Sequence, residues 1–271
     1  MLNTEKRNPR TMHIDKMSTA EMVKVMSDEN FNAAKAVEEA LPQIEKAIDA
    51  ATERFAAGGK IYYLGCGTSG RLGVLDASEA PPTYGVPSDR VVGIIAGGDK
   101  CLRSASENAE DLGNMGVADL KQRALTGADV VVGISVAGNA EYVVKALEYA
   151  KSLGCVTIAL CCNKGCLIDQ IADISIVTDT GAEVITGSTR MKAGSAHKMV
   201  LNMLSTAVMI KCGYVYENLM INLRATNIKL VARMISIVSD ITGLDRDASE
   251  ALLKKVDWNI KAAVAAFEAG K

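Results

Sequence analysis

Aromatic side chains are scarce in this 271-residue chain, which has one tryptophan, seven tyrosines and three phenylalanines. That scarcity removes the stacking platforms on which single-stranded nucleic acids are held. An excess of one charge is missing too. Thirty Lys and Arg against thirty-two Asp and Glu leave a formal net charge of -2, which does not favour a nucleic-acid or anionic-membrane partner. No run of about 18 consecutive apolar residues occurs. The N-terminal "MLNTEKRNPRTMHIDKMS" also lacks the apolar core of a signal peptide, so a cytoplasmic protein is expected. Histidine is limited to His13 and His197, and no paired C-x-x-C accompanies "CCNKGC" at 161–166. Metal sites need such ligands at short spacing, so no metal is expected. Seven cysteines, an odd number at irregular spacing, read as reduced thiols. A small molecule becomes the default partner.

What is present is ample apolar material, 49% of residues, enough for a large core. Residues 19–57 read as two helices. The second carries a stripe of Val37, Leu41, Ile44, Ile48, Ala51 and Phe55, with Pro42 marking a kink or a fresh start. Then the period changes. "KIYYLG" (60–65), "VVGIIAGG" (91–98), "DVVVGIS" (129–135), "CVTIALCC" (155–162) and "DISIVT" (173–178) are short, β-branched apolar runs, mostly separated by helix-length segments. Such alternation predicts an α/β fold, a doubly wound parallel five-stranded sheet covered on both faces. A helical run follows from about Ser188 to a cap at Gly213, and a second from about 216 to 240. Two short helices end the chain, with Leu252, Val256, Ile260, Val264 and Phe267 as their apolar face. The expected division is an N-terminal helical segment at 1–50, a ligand-binding α/β domain at 51–214 and a C-terminal helical region at 215–271.

Ligands of doubly wound sheets sit at the carboxyl ends of the strands, and there "YLGCGTSGRLGVLDASEAPPTYG" (63–85) places a glycine-rich loop. Gly65, Gly67 and Gly70 spell the dinucleotide fingerprint, but the acidic residue required about 20 positions on falls at Asp89, before the next strand instead of after it. A nucleotide cofactor is therefore not expected. Thr68 and Ser69 hydroxyls beside a helix N-terminus fit a sugar phosphate better, although a glycine turn also serves packing alone. The helix is expected to stop before Pro81, leaving Glu79 in its last turn. There the helix dipole favours the protonated acid, unless Glu79 is simply solvated. Glu107, Glu110 and Asp111 form a second acidic group, with Glu107 and Glu110 on one face if helical; two carboxylates after consecutive strands could divide acid and base roles in one pocket, but a solvated face is the commoner reading of such a run. The histidine His197 reads more readily as packed than as titrating. The Met191, Met199, Met203 and Met209 series reads as core or subunit interface.

Taken together, "NPRTMHIDKMSTAEM" (8–22), the 64–85 loop, "GIIAGG" (93–98), "AEDLG" (109–113) and "GAEVITGSTRMKAGSAHKMVLNMLSTAVMIKCGYVYENLMINLRATNIKL" (181–230) resemble N-acetylmuramic acid 6-phosphate etherases. The resemblance runs from about residue 4 to 265. It implies a sugar isomerase (SIS) type fold and a homodimer that needs neither metal nor nucleotide. It also implies cleavage of the C3 lactyl ether to N-acetylglucosamine 6-phosphate and D-lactate, by elimination and then hydration, in cell-wall recycling. By the same resemblance Glu110 is the base at C2 and Glu79 the acid for the departing lactyl oxygen. Substrate would be held by Gly67, Thr68, Ser69, Ser135, Gly138 and Asn139. One loop departs from the family's usual "ASGRTPY", reading "SVAGNAEY" here, so Ala137, Asn139 and Ala140 replace polar groups. Asn139 is expected to donate where the family uses arginine, and an etherase with altered phosphate specificity is the alternative. Two rival functions remain: a non-catalytic sugar-phosphate sensor, as the vertebrate glucokinase regulatory protein in the same wider group, and an aldose-ketose isomerase.

Overall fold

A computed structural model describes residues 1–104, 108–223 and 228–270. Glu107, grouped above with Glu110, lies outside the described residues. The chain forms two compact units, Met1–Ala77 with Asp89–Val208, and Ser78–Ser88 with Met209–Lys271.

The five apolar runs become the strands of the first unit: β1 (Ile61–Gly65), β2 (Val91–Ile95), β3 (Val130–Ile134), β4 (Val156–Cys161) and β5 (Ile174–Val177). They pair in the order β2-β1-β3-β4-β5, all parallel. Every residue of β1 and β3 is buried, which explains why these segments read as continuous apolar runs rather than alternating ones. One face packs Tyr62, Leu64, Val131 and Ala159 against Tyr142, Val143 and Leu147 of α5 (Glu141–Ser152), and α4 (Gly113–Gln122) leans on α5. On β3, β4 and β5 packs α2 (Leu41–Ala56), with Ile44, Ala47, Ala51 and Phe55 buried. Pro42 sits in the first turn of α2, a fresh start after α1 (Thr19–Glu39). Leu41, placed in the buried stripe by its spacing, is exposed because it opens the helix instead of continuing α1.

The helix after β1, α3 (Gly67–Tyr84), runs through Pro81 and Pro82. This corrects the expected stop before Pro81. Proline removes its own N–H but keeps a helical φ, and Gly85 N–H closes the end by donating to Pro81 O at 2.9 Å. Glu79 is therefore interior to α3, and the dipole argument for its protonation loses its geometry.

A buried ionic cluster joins the start of the last long helix of this unit to α1. Lys192 opens α7 (Lys192–Lys211) with 2% of its surface exposed, and its Nζ meets Glu29 Oε2 at 2.5 Å. Glu29 is 3% exposed and also accepts from Arg10 at 3.0 Å. Burial would raise the Glu29 carboxyl, but its bond to Lys192, the Lys192 charge, Asn8 and Arg10 hold it below the ordinary carboxylate value. Fully buried Glu183 receives the N–H groups of Lys192 at 3.3 Å and Ala193 at 2.9 Å, satisfying two orphan donors of α7. Burial pushes its carboxyl up despite those donors. The N-terminal segment straps the approach to α7: Asn8 Nδ2 donates to Ala182 O and Thr11 Oγ1 to Val184 O.

In the second unit, the stretch expected as helix from 216 forms a hairpin, β6 (Val215–Tyr216) with β7 (Leu219–Met220), before α8 (Ile228–Thr242). Glu217, at φ 50°, makes the turn that the apolar pattern concealed. Helices α9 (Arg246–Lys255) and α10 (Ile260–Ala269) start on Asp245 and Asn259, whose carboxyl and carboxamide oxygens cap Ala248 N and Ala262 N. Their core with α8 centres on Met234, Val238, Leu253 and Ile260. Leu253 is fully buried while Leu252 is only partly so, a shift of one position from the expected face.

Removing one partner of a buried ion pair costs about 3–5 kcal/mol, because the other charge stays buried and uncompensated. Glu29→Gln is expected to lose stability on that scale in denaturant unfolding, whereas Arg10→Ala, at the half-exposed end, should lose about 1 kcal/mol or less. Because the folded pKa of Glu29 is depressed, its stabilisation is complete above the ordinary carboxylate value and lost as pH falls below it. The gap between wild type and Glu29→Gln should close in acid.

Candidate active site

In a sheet of order β2-β1-β3, the connections from β1 and β3 leave on opposite sides of the sheet, and the crevice outside their carboxyl ends is the ligand position of such folds. Register places Gly65 level with Ile95 on one side and Ile134 on the other. A cleft of about 330 Å³ opens at that edge. Its wall from β1 is Cys66, Gly67, Thr68, Ser69 and Arg71. The side beyond β2 supplies Ala96, Cys101, Asn108, Ala109 and Glu110. From β3 come Ile134, Ser135, Val136, Ala137 and Ala140, and Thr189 closes it.

The β1 wall is the first turn of α3, whose opening N–H groups have no intrahelical partner and carry partial positive charge. The turn that aims it is tight. A Cβ on Gly70 would lie 2.4 Å from Gly65 O, so the third glycine of the motif serves close strand-to-helix packing. Arg71, one turn along, donates from Nε to Leu102 O at 3.0 Å and from Nη2 to Cys101 O at 2.8 Å. Glu110 lies exposed in a single 3-10 turn, Ala109–Asp111, after Asn108 at φ 65°. Burial, with added repulsion from the Glu110 and Asp111 carboxylates, pushes the Cys66 thiol up to about 12, so it stays protonated near neutrality.

Five of the residues singled out in the sequence therefore share the cleft: Gly67, Thr68, Ser69, Ser135 and Glu110. Three others do not line it. Gly138, at φ 83°, packs so closely that a Cβ would fall 2.0 Å from Cys166 Sγ. Its N–H donates to Ser135 Oγ at 3.1 Å, fixing the loop from behind. Asn139 directs its carboxamide oxygen to Leu167 N at 3.0 Å, at the start of α6 (Leu167–Ile171), instead of into the cleft. Glu79 is exposed on α3 and belongs to the second compact unit. Sequence reasoning passed over Arg71 and Thr189. Both lie within stretches already quoted, but nothing in their spacing distinguishes them from surface polar groups.

His197 is fully buried, with Nε2 3.4 Å from Cys162 Sγ, and burial lowers its pKa to about 4, so it is packed and neutral near pH 7. All seven cysteines are free thiols, and no cluster of metal-ligating side chains occurs among the described residues. Among them, too, no helix is long and apolar enough to cross a membrane. Met209 is buried, Met203 is exposed, and Met191 and Met199 lie between.

Fold and cleft together define a SIS-domain protein. The SIS domain profile matches residues 117–207, and that of the glucokinase regulatory protein N-terminal SIS domain matches 43–151. A phosphoheptose isomerase structure from Francisella tularensis superposes with a TM-score of 0.55 at 18% identity, covering 72% of this chain and all of that one, which is a likeness of fold. Full-length similarity is narrower in meaning. N-acetylmuramic acid 6-phosphate etherase from Clostridium beijerinckii is 50% identical over 97% of this chain and 86% of its own length. N-acetylmuramic acid 6-phosphate etherase 2 from Vibrio parahaemolyticus is 51% identical over 97% and 88%. The chain belongs to the N-acetylmuramic acid 6-phosphate etherase family.

Overpacking a close backbone contact typically costs about 1–3 kcal/mol, and a β-carbon at positive φ adds strain. Gly138→Ala should therefore lower the unfolding midpoint clearly. Gly154→Ala, also at φ 83° but with open space around it, should lower it less in the same melt.

Proposed function

We propose that this chain cleaves the D-lactyl ether at C3 of N-acetylmuramic acid 6-phosphate, giving N-acetylglucosamine 6-phosphate and D-lactate in cell-wall sugar recycling. The observation that carries the reading is the cleft itself, which joins a helix N-terminus suited to a phosphate with a lone carboxylate suited to a base. The steps and the roles of the two carboxylates are those that the resemblance to the etherase family implies. Glu110 removes the C2 proton of the ring-opened sugar, the electron pair forms the C2–C3 double bond, and the C3–O bond breaks. Glu79 gives its proton to the departing lactyl oxygen, and water then adds across the double bond. Its exposed side chain on α3 is open to a ligand. The phosphate is held by the first turn of α3 with the Thr68 and Ser69 hydroxyls. With Ala137 and Ala140 on the β3 wall and Asn139 engaged by α6, the first loop bears most of the affinity.

Homodimer assembly belongs to this proposal, and the exposed Val23 and Phe31 on α1, the latter 72% exposed, give apolar surface for it. A cytoplasmic setting also belongs to it, since seven free thiols suit a reducing compartment.

Purified protein should release D-lactate from N-acetylmuramic acid 6-phosphate and much less from the unphosphorylated sugar. Saturable sugar-phosphate binding without lactate would replace the enzyme by a sensor, and ketose phosphate as product would make it an isomerase. Loss of a positioned acid or base costs about 10²- to 10⁴-fold in rate, so Glu79→Gln and Glu110→Gln should each lower kcat while retaining substrate. Solvent deuterium exchange at C2 separates their roles: it should persist in Glu79→Gln and vanish in Glu110→Gln. The opposite pattern exchanges acid and base.

A further inference from the structure

Ser135, Val136 and Ala137, the turn after β3, all line the cleft, and their placement depends on a side chain outside it. Ser135 N–H donates to Leu160 O and Cys162 N–H to Val136 O, each at 3.0 Å, so the β3–β4 ladder runs on to Val136 and ends there. That last carbonyl has a second lone pair, and Asn163 Nδ2 donates to it at 3.1 Å. The same amide nitrogen donates to Thr4 Oγ1 at 3.1 Å, while Asn163 Oδ1 accepts from Thr4 N at 3.5 Å. Asn163 is 3% exposed and Thr4 is fully buried, so a partner lost here leaves a polar group unpaired and away from water. Ser135 Oγ accepts from Gly138 N at 3.1 Å, and among the described residues nothing accepts its own proton. That proton is free for a ligand in the cleft.

Resting on the etherase reading, we infer that Asn163 is the positioning residue for Ser135: its carboxamide, anchored on Thr4, fixes the Val136 carbonyl and with it the turn from which the Ser135 hydroxyl donates to the sugar's phosphate. The role needs a carboxamide. One planar group supplies two N–H donors and an acceptor, and all three are engaged. An aspartate of the same shape still accepts from the Thr4 hydroxyl and N–H, but its carboxylate has no donor to offer Val136 O. Thr4 belongs to the N-terminal segment whose Asn8 and Thr11 hold Ala182 O and Val184 O, in the loop that leads to Thr189. One segment therefore restrains the cleft at two places, at Ser135 through Asn163 and at Thr189 through its loop.

The test is a double-mutant cycle of Ser135→Ala and Asn163→Asp, read as affinity for N-acetylglucosamine 6-phosphate. A hydrogen bond to a charged group is worth roughly tenfold or more in binding, so Ser135→Ala should weaken affinity by about that factor and Asn163→Asp should approach it. Combined, the two should cost little more than Ser135→Ala alone, because Asn163 acts through the hydroxyl that is already gone. KM for N-acetylmuramic acid 6-phosphate should rise in step, with kcat changed much less. Thr4→Val, which removes the anchor but leaves the Val136 bond, should show the same dependence on Ser135 at smaller size, and Thr4→Ser should restore affinity; this pair carries the test if Asn163→Asp does not fold. Undiminished affinity in Ser135→Ala or in Asn163→Asp would overturn the proposal and leave the etherase reading standing. So would losses that add in full, the mark of a purely structural role. A wild type that binds the sugar phosphate but releases no D-lactate overturns the etherase reading and leaves the coupling of Asn163 to Ser135 intact; one that does not bind it overturns both.

Discussion

The buried pairing of Lys192 with Glu29 is the polar contact on which the N-terminal segment, α1 and the start of α7 jointly depend. It ties the first turn of α7 to α1, with Arg10 of the N-terminal segment completing the charge balance. Glu183, holding two N–H groups of the same helix end, fixes the preceding loop, and Asn8 and Thr11 bond its carbonyls on either side. Thr189, the cleft residue from that loop, thereby sits on a frame of buried ions and capped amides. Isolated, each of these charges would be costly inside a protein. Paired, they give one arrangement of the loop a large advantage over its alternatives.

The opposite wall rests on a different principle. Where β1 passes into α3, the structure relies on the absence of side chains, and the contact of Gly70 with Gly65 O brings the helix start close to the strand end. Ions behind one wall and bare backbone at the other produce a cleft with rigid ends. Glu110 stands in the short Ala109–Asp111 turn that precedes α4.

Much of this was legible in the sequence for an identifiable reason. The five strands are continuous apolar runs because both faces of the sheet are covered, and that pattern survives without knowledge of any contact. The glycine turn was legible because close approach leaves a mark in residue type. What escaped depends on partners distant in the chain. Arg71 meets carbonyls thirty and more positions away, and Lys192 pairs with a residue 163 positions back; neither has a periodicity to read. The course of α3 was misjudged because the penalty before proline is a tendency that a packed helix overrides, and the β6–β7 hairpin because two-residue strands have too short a period to show. The acceptance by the Asn139 carboxamide oxygen from Leu167 N, 28 positions on, likewise has no spacing to announce it.

The first turn of α3 has one further consequence. Its free N–H groups belong to the main chain, so no exchange of side chains can erase them except by proline or by unwinding the helix. An anion seat of the proposed kind would be inherited with the fold itself. Ala137, Ala140 and the Ala109–Asp111 turn are side chains and loop, and they can change without disturbing it. On the proposed reading, a lineage that keeps the turn can therefore exchange the body of the sugar it handles, and even the bond it breaks, while the charged handle stays the same.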